Sequence, residues 1–477
     1  MAETCPRPHA FMIALPYQGH ITPFVNLALK LASKGIIVTF VHLEFIHHTS
    51  SQSQQSSSNL FSEARECGLD IRYTTIDDGF PLEFDRVLHS DKYWESMLRD
   101  FPGRVEEFVV KTIQSDDPCL APFLIADTFY TWPAAISKKL NLLNVSFWTE
   151  PALVFSLAYH MNLLKENGHF PCKDHVEEEI NYLPGVEEIS TKDLMSYLKA
   201  ADPATTVDEV VPKAFEEVKK ADFILHNTVQ ELESETLSAL NKYQPNYAVG
   251  PINFSKTLAT DTVSKSLRSE LDCANWLDSK SPGSVLYVSF GSLVQTSKQV
   301  IEEIAHGLLL SEVNFIWVVR ADAVSSGDTD VLPAGYVDEI KDKGLIVPWC
   351  TQMMVLSHPA VGGFLTHCGW NSVLETIWCG TPMICYPITY DQPTNRKLVV
   401  DGWKIGINLC DETSVERKEV AEKIKSFMSG AASESLREEA NKVNAVLQNA
   451  LERDGSSERN FDQFVKDLKA KLIAGNE

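Results

Sequence analysis

The stretch of the sequence from Trp349 to Gln392 constrains the fold most strongly. It contains the end of a strand, a short helix, the apolar strand GGFLT, a tight turn, a second helix, another apolar strand and a final acid–amide pair. Short apolar strands that alternate with helices predict a parallel sheet covered on both faces. In such sheets ligands bind beyond the carboxyl ends of the strands, and the turn at 367–372 lies at such an end.

This turn predicts a seat for a diphosphate. Where a buried strand gives way to a helix, backbone amides and the positive end of the helix dipole face the crevice. Asn371 and Ser372 add side-chain donors in the first turn of that helix. Glu375, one turn beyond Asn371 on the same helix face, could accept two hydrogen bonds from a ribose diol. The pattern therefore favours a nucleotide over free phosphate.

The alternation of strand and helix recurs in both halves of the chain, and 477 residues exceed one ordinary core. We therefore predict an α/β protein with two Rossmann-like doubly wound domains, at 1–252 and 268–455. The segment 253–267 is short of large apolar residues and rich in Ser and Thr, which indicates a linker. We also expect a surface loop in the Ser- and Gln-rich stretch 49–62 and one helix from 93 to 113.

Composition narrows the possible partners. A net charge of -23 argues against nucleic acid and anionic membrane surfaces, since both are bound by basic patches. No window reaches the length of a membrane span, and the N-terminus lacks the basic-then-apolar form of a signal peptide. The ten cysteines lack the paired spacing of zinc ligands, so they indicate reduced thiols in a cytoplasmic protein. No G-x-G-x-x-G follows the first strand, so a dinucleotide oxidoreductase loses its usual fingerprint.

Two residues at strand ends in the first half suggest catalysis. His20 follows the apolar run at 9–16, and Gly19 before it permits a close approach of substrate. Asp127 lies near the end of the apolar strand PFLIADTF, where a carboxylate without a partner is expensive to bury. Because ends of parallel strands meet at one edge of a sheet, we expect Asp127 to orient a His20 that acts as general base. A histidine satisfied by a nearby carbonyl is the structural alternative.

The stretch also carries a series of spaced motifs: WCxQ, HxAVGxFxTHCGWNS, a Glu three residues later, GxP and a terminal DQ. Together they resemble the plant secondary-product signature box of the family 1 UDP-glycosyltransferases. Thr381 stands where Val is usual and Thr389 where Trp is frequent, and neither is expected to carry a main polar contact to the donor. The resemblance implies that Trp349 stacks on uracil and that Cys350 meets the uracil edge through its backbone. It implies that Gln352 and Glu375 bind ribose and that the diphosphate is held by His367, Asn371 and Ser372. Asp391 and Gln392 would bind sugar hydroxyls.

The same resemblance implies the architecture and the reaction. Two facing domains of the GT-B type would enclose an interdomain cleft, with the acceptor in 1–252, the UDP-sugar in 268–455, and a final helix at 456–477 that packs back on the N-terminal domain. His20 and Asp127 match the catalytic His and Asp of the family, which implies direct displacement at the anomeric carbon with inversion.

Three further residues complete the implied site. Ser292 lies beside the expected diphosphate, Thr149 corresponds to a position that touches the hydroxymethyl group of the sugar, and Trp370 offers a backbone amide and a wall beside the hexose. No DxD-type carboxylate cluster occurs near the box, which agrees with a reaction that uses no metal. We therefore expect no cofactor, with the UDP-sugar as co-substrate, and a monomer.

Glucose is the favoured sugar, because the box ends in Gln392 as in glucose-using relatives. Galactose, xylose and glucuronic acid remain alternatives, and so does a non-catalytic protein that binds a nucleotide sugar. A hydrolase would need a nucleophile elbow, which the sequence lacks. For the acceptor, Phe24, Phe80, Phe129 and Phe155 suggest a flat or apolar small molecule with a hydroxyl or carboxyl group, although each is equally well explained as a core aromatic.

Overall fold

The structure, a computed structural model, describes residues 7–53, 60–172, 177–199, 206–254, 271–324, 331–341, 343–410 and 414–475. Residue contacts divide the chain into two compact units. The first unit is formed by Met1–Thr191, Tyr197–Leu267 and Asn449–Glu477, and the second by Lys192–Ser196 and Arg268–Gln448.

The first unit is built on a parallel sheet of seven strands. The strands of this sheet are β1 (Arg7–Ile13), β2 (Ile37–Leu43), β3 (Ile71–Ile76), β4 (Leu120–Asp127), β5 (Leu143–Trp148), β8 (Phe223–His226) and β9 (Asn246–Ala248). Two further strands of this unit, β6 (Glu179–Ile180) and β7 (Ile189–Ser190), form a separate antiparallel pair. Its helices are α1 (Gln18–Ser33), α2 (Glu44–Ser53), α3 (Ser62–Glu66), α4 (Ser90–Arg99), α5 (Phe101–Ser115), α6 (Pro133–Leu140), α7 (Ala152–Tyr159), α8 (Met161–Glu166), α9 (Thr206–Val218) and α10 (Ser234–Leu240).

The strand order of this sheet is β3-β2-β1-β4-β5-β8-β9, and every pairing is parallel. Strands buried along their whole length, such as β2, pack between helices on both faces, so apolar runs rather than alternating patterns form them. The order reverses between β1 and β4, which makes the crevice beyond their carboxyl ends the expected place for a ligand.

The second unit has a parallel sheet of six strands. Its elements are α11 (Ala274–Asp278), β10 (Val285–Ser289), α12 (Lys298–Ser311), β11 (Asn314–Val318), α13 (Tyr336–Glu339), β12 (Gly344–Val347), α14 (Gln352–Leu356), β13 (Val361–Thr366), α15 (Trp370–Trp378), β14 (Met383–Cys385), α16 (Gln392–Lys397), β15 (Gly406–Asn408), α17 (Arg417–Met428) and α18 (Ala431–Ala450). The order β12-β11-β10-β13-β14-β15 again reverses, between β10 and β13. The predicted fold class, two Rossmann-like doubly wound α/β domains, is confirmed.

The last helix, α19 (Ser456–Ala474), belongs to the first unit. Lys30 of α1 is buried and donates to Glu458 at 2.7 Å, and the Tyr247 hydroxyl donates to Asp467 at 2.7 Å. Phe464 packs edge-on against Phe223. The chain returns to the first unit at Asn449, seven residues before the boundary that the sequence predicted between 455 and 456. The sequence pattern could not locate this change, because it falls inside the continuous helix α18.

Three other expectations differ from the structure. The predicted loop at 49–62 is helical as far as Ser53, and residues 54–59 lie outside the described part. The helix expected from 93 to 113 is two helices that meet at Asp100, because Pro102, in the first turn of α5, has no backbone N–H with which to continue α4. Lys192–Ser196 clusters with the second unit although the sequence placed it in the first domain. From residue 255 on, the predicted linker 253–267 lies outside the described residues.

Candidate functional site

His20 and Asp127 lie together at the point where the strand order of the first sheet reverses. His20 stands in the first turn of α1, which follows β1, and Asp127 is the last residue of β4. The His20 Nδ1 is 2.8 Å from the Asp127 Oδ2, although the two residues are 107 positions apart. The side chain of His20 is 14% exposed and that of Asp127 is 1% exposed. The pair therefore joins a buried carboxylate to an imidazole that solvent can reach.

Hydrogen bonds offset the cost of burying the Asp127 carboxylate. Besides the imidazole, the backbone amide of Phe129 donates to its Oδ1 at 3.2 Å and that of Leu15 to its Oδ2 at 3.4 Å. An ionised carboxylate only accepts hydrogen bonds, so the His20 Nδ1 must carry the proton in this pair. The Nε2 nitrogen then keeps its lone pair and can accept a proton.

Thr149, which follows β5, also lies beside His20. Its Oγ1 is 3.1 Å from the His20 Nδ1, and its side chain is buried. The imidazole ring is also close to two aromatic rings, with Phe129 edge-on at 5.8 Å and Tyr17 at 6.2 Å between centroids. Thr149, directly after the end of β5, therefore contacts the His20 imidazole.

In the second unit, the residues of the predicted diphosphate seat gather where β10 and β13 end. Gly369, which has no side chain to cap a helix, takes the N-cap position of α15 with an extended backbone. Asn371 and Ser372 stand in the first turn and Trp370 is buried. Ser292 lies in the turn that follows β10. The first amides of α15 and the side chains of Asn371, Ser372, Trp370 and Ser292 thus lie at one edge of the second sheet.

His367 fills the space between two glycines of this seat. A Cβ atom on Gly291 or on Gly369 would lie 2.5 Å from the His367 Nε2, so neither position has room for a side chain. Gly291 has φ +76, which also favours glycine. Burial, with the positive charge of Arg320, lowers the pKa of His367 to about 4, so the imidazole is neutral at physiological pH.

Arg320 supports the same turn from beneath, and the sequence analysis missed it. It is 3% exposed, and its guanidinium donates to the carbonyl oxygens of Gly291 at 2.5 Å and Val294 at 2.7 Å. Its Nε donates to the half-exposed Asp322 at 2.9 Å. The signal was present, because Arg320 follows the buried strand FIWVV directly, as Asp127 ends its own strand.

The residues predicted to bind ribose are bonded to each other. The Gln352 Nε2 donates to the Glu375 Oε2 at 2.6 Å and to the Ser372 Oγ at 3.0 Å. Burial raises the pKa of Glu375 to about 7, and the bond from Gln352 opposes that rise. The Tyr287 hydroxyl donates to the Gln352 Oε1 at 3.3 Å, so the amide is held from both ends. Gln352, the first residue of α14, therefore holds the side chain of Glu375 on α15 in place.

The predicted uracil site adjoins this cluster. Trp349 is half-buried, and its carbonyl accepts from the amide of Leu271 at 3.0 Å. Cys350 is 4% exposed, with its Sγ 3.7 Å from the Tyr287 hydroxyl. The sulfur thus faces the protein interior, which leaves backbone as the means by which Cys350 could meet a base.

The acid–amide pair at the end of the box is buried and anchored. The Gln392 Oε1 accepts from the amides of Ile388 at 2.8 Å and Thr389 at 3.0 Å, so only its amide nitrogen remains to meet a ligand. The Asp391 Oδ2 accepts from the Asn395 Nδ2 at 2.6 Å, and the same nitrogen donates to the Cys368 carbonyl at 2.8 Å. Asn395, which the sequence analysis also missed, thereby ties the acid to the turn before α15.

Comparison with known proteins shows which proteins the chain is similar to. Residues 205–444 match the family model described as UDP-glucoronosyl and UDP-glucosyl transferase. The chain is 52% identical over 473 residues to UDP-glycosyltransferase 86A1 of Arabidopsis thaliana, covering 98% of this chain and 95% of that protein. It is 34% identical over 486 residues to 7-deoxyloganetin glucosyltransferase of Catharanthus roseus, covering 98% and 97%. The structure of Phytolacca americana UGT2 complexed with UDP-2fluoro-glucose and pterostilbene matches with a TM-score of 0.77 at 25% identity, covering 97% of this chain and 99% of that one. Within the described residues, none of the helices combines the length and the apolar character needed to cross a membrane.

Proposed function

Because the chain belongs to the plant family 1 UDP-glycosyltransferases, we propose that it transfers glucose from UDP-glucose to a small lipophilic plant metabolite, with inversion and without a metal ion. Family membership makes the chain a glycosyltransferase that uses a UDP-sugar and a small-molecule acceptor. What we propose beyond this is the sugar that is transferred, the inversion at its anomeric carbon, and the residues that catalyse the reaction and bind the donor.

The bond between the His20 Nδ1 and Asp127 carries the proposal. It leaves the Nε2 as a base, and the buried carboxylate stabilises the imidazolium that forms when the base takes a proton. An acceptor hydroxyl is a poor nucleophile at neutral pH, so a base in this position has a clear chemical purpose.

In the proposed reaction the acceptor O–H gives its proton to the His20 Nε2 while its oxygen forms a bond to the anomeric carbon. The bond from that carbon to the diphosphate oxygen breaks, and UDP leaves with the electron pair. Attack from the face opposite the leaving group inverts the anomeric centre, so an α-linked donor gives a β-glucoside. A carboxylate acceptor is already ionised at neutral pH and would depend less on His20.

Donors in the second unit stabilise the charge that develops on UDP. The amides at the start of α15 point along the helix dipole, and Asn371, Ser372 and Ser292 add hydroxyl or amide donors. His367 is neutral, so it takes part as a hydrogen-bonding group rather than as a cation. In this scheme protein donors supply the stabilisation, and no step requires a cofactor.

Glucose is proposed on the identity of Gln392 and on the relatives. One relative is named a glucosyltransferase, and the matched Phytolacca structure contains UDP-2fluoro-glucose. UDP-galactose, UDP-xylose and UDP-glucuronic acid are the alternative donors. The uridine is the same in all these donors and would be held by Trp349, Gln352 and Glu375. Selection among the sugars would therefore depend on the groups near Asp391 and Gln392.

The acceptor is proposed to be a lipophilic alcohol, phenol or carboxylic acid of secondary metabolism. The aromatic rings of Tyr17 and Phe129 flank His20, and an apolar ring could lie against them while a hydroxyl points at the imidazole. The names of the matched proteins include 7-deoxyloganetin and pterostilbene, which are small molecules of this kind. We further propose a cytoplasmic monomer, on the scattered cysteines and the acidic composition.

Release of UDP by the purified protein tests the proposal. UDP-glucose is supplied with EDTA and a mixed panel of phenolic and terpenoid alcohols and acids, and each alternative UDP-sugar is run in parallel. His20→Ala is compared with the natural chain, and UDP affinity of both is measured by calorimetry as a control for folding. The anomeric configuration of the product is read by NMR.

We expect turnover in EDTA with UDP-glucose, a β-linked product, and loss of turnover with hydroxyl acceptors in His20→Ala while UDP affinity is kept. An α-linked product would refute inversion, and loss of activity that a divalent metal restores would refute the metal-free scheme. Faster turnover with another UDP-sugar would replace glucose. Full activity of His20→Ala on alcohols would remove His20 as the base.

A further inference from the structure

A five-residue segment, Lys192–Ser196, stands far from the rest of the second unit in sequence and yet belongs to it. It precedes the linker and the whole second sheet, and it follows the short strand β7. We call it the 192–196 segment. Its partners lie between 389 and 396, where the acid–amide pair Asp391–Gln392 is found.

Ser196 bonds the backbone just before that pair. Its Oγ accepts from the amide of Tyr390 at 2.7 Å, and its own amide donates to the Tyr390 carbonyl at 2.9 Å. Its Oγ is also 3.0 Å from the Thr389 Oγ1. Tyr390 has φ +59, a left-handed conformation that costs a residue with a side chain about 1 kcal/mol or more. The paired bonds from Ser196 hold this residue in that conformation.

Asp193 bonds the helix that follows the pair. Its buried carboxylate forms an ion pair with Arg396, and its carbonyl accepts from the Thr394 Oγ1 at 2.6 Å. Thr394 is fully buried, and Arg396 is 11% exposed. Arg396 also pairs with the half-exposed Asp401 at 3.2 Å, so Asp193 is the buried one of the two acids that hold this guanidinium.

These contacts bracket Asp391 and Gln392 on both sides. Ser196 fixes the residue before Asp391, and Asp193 fixes the helix that Gln392 begins. The Gln392 carbonyl oxygen is in turn occupied by the amides of Ile388 and Thr389. The direction of the Gln392 amide nitrogen therefore depends on the backbone at 388–390, and that backbone is held by Ser196.

We propose that Ser196 and Asp193 are positioning residues that set Asp391 and Gln392 for the sugar of the donor. This inference rests on the proposed function, since it takes the acid–amide pair as the sugar site. The bonds of Ser196 and Asp193 go to residues between 389 and 396, whereas the groups predicted to bind uridine and diphosphate lie at 349–352, at 367–375 and in the turn after β10. Loss of the segment's bonds weakens recognition of the hexose and leaves recognition of UDP unchanged.

The test compares two ligands in matched variants. Calorimetry gives the Kd of UDP and of UDP-glucose for the natural chain, Ser196→Ala, Ser196→Thr, Asp193→Asn and Ser190→Ala. Ser196→Thr keeps the hydroxyl. Ser190→Ala is the control, because Ser190 is buried in β7 six positions earlier and its hydroxyl has no hydrogen-bond partner within the described residues. Turnover with UDP-glucose and UDP-galactose gives the KM and kcat of each variant.

For Ser196→Ala and Asp193→Asn we expect a Kd for UDP-glucose raised by about fivefold to tenfold, with the Kd of UDP changed less than about twofold. Glucose over galactose selectivity should fall in the same variants, while Ser196→Thr and Ser190→Ala stay near the natural values. An equal rise in the Kd of UDP and of UDP-glucose would show that the segment has a purely structural role, and it would overturn the inference. Unchanged affinity for both ligands would also overturn it.

Failure of the proposed function is recognised separately. If the natural chain bound UDP but another UDP-sugar replaced UDP-glucose as donor, the same comparison with that sugar would decide the inference. If Asp391→Ala and Gln392→Ala left the affinity for every UDP-sugar unchanged, the pair would not be the sugar site, and both the assignment and the inference would fall.

Discussion

The raised pKa of Glu375 makes donor affinity depend on pH. Its pKa rises from 4.5 to about 7 because the carboxyl is buried beside α14. A shift of this size corresponds to about 3 kcal/mol of unfavourable free energy for the ionised form. Because the pKa in the folded chain lies above that in the unfolded chain, this carboxyl stabilises the fold below pH 4.5, and that contribution is lost as the pH rises through about 7.

A bound ribose reverses part of this cost. Two hydroxyls that donate to the Glu375 carboxylate favour its ionised form and so lower its pKa in the complex. If the pKa falls by about two units on binding, the Kd decreases by about a hundredfold in all as the pH rises from well below 5 to well above 7, and about 25-fold of this falls between pH 5 and pH 7. UDP-glucose is the right ligand for this measurement, because its phosphates are both esterified and do not titrate in the range, whereas the terminal phosphate of UDP does, with a pKa of about 6.

Calorimetric titration of UDP-glucose from pH 5.5 to 8 measures the effect in the natural chain and in Glu375→Gln. The variant mimics the protonated carboxyl, so its Kd should be independent of pH and close to the weak value of the natural chain at low pH. Gln352→Met removes the bond that opposes the shift and should move the midpoint of the natural curve to higher pH. A flat curve in the natural chain, or the same slope in Glu375→Gln, would refute the assignment of Glu375 to the ribose.

Three further variants test the site. Gly291→Ala would place a Cβ 2.5 Å from His367 at a φ of +76, so we expect UDP affinity to fall by about tenfold or more, and an unchanged Kd would contradict the packing. Arg320→Gln removes a buried positive neighbour, so the pKa of His367 should rise in an NMR titration and UDP should bind more weakly; a constant pKa would show that the charge does not reach the seat. Asp127→Asn should lower kcat with alcohol acceptors by about a hundredfold or more while leaving UDP affinity intact, because His20 loses the carboxylate that orients it.

Most of the fold could be predicted from the sequence, because buried parallel strands are recorded in apolar runs that local reading detects. Both parallel sheets were predicted from such runs, whereas the strand orders, and so the places where they reverse, were not. The errors arose where apolar pattern was the wrong guide. The helix α2 continues through a polar stretch as far as Ser53, although no apolar residue follows Ile46 within it. The break at Asp100 was missed because the apolar periodicity continues across Pro102.

In the candidate site, the residues near strand ends could be predicted from the sequence better than the residues that support them. Residues near strand ends, such as His20 and Asp127 of the first sheet and His367 of the second, could be named because strand ends are visible in the sequence. Residues that support them from distant parts of the chain were not found. Asp193 and Arg396 are 203 positions apart, and a sequence without an alignment gives no reason to pair them.

Thr389 shows why this second layer matters. It departs from the signature box, where Trp is frequent, and no role was predicted for it because it was not expected to carry a main polar contact to the donor. In the structure its hydroxyl meets that of Ser196, which also holds the left-handed Tyr390. An indole at 389 has no hydroxyl to offer Ser196, so the substitution and the 192–196 segment form one arrangement. The double variant Ser196→Ala with Thr389→Trp should therefore lose less affinity for UDP-glucose than the sum of the two single changes, and additive losses would show that the two positions act independently.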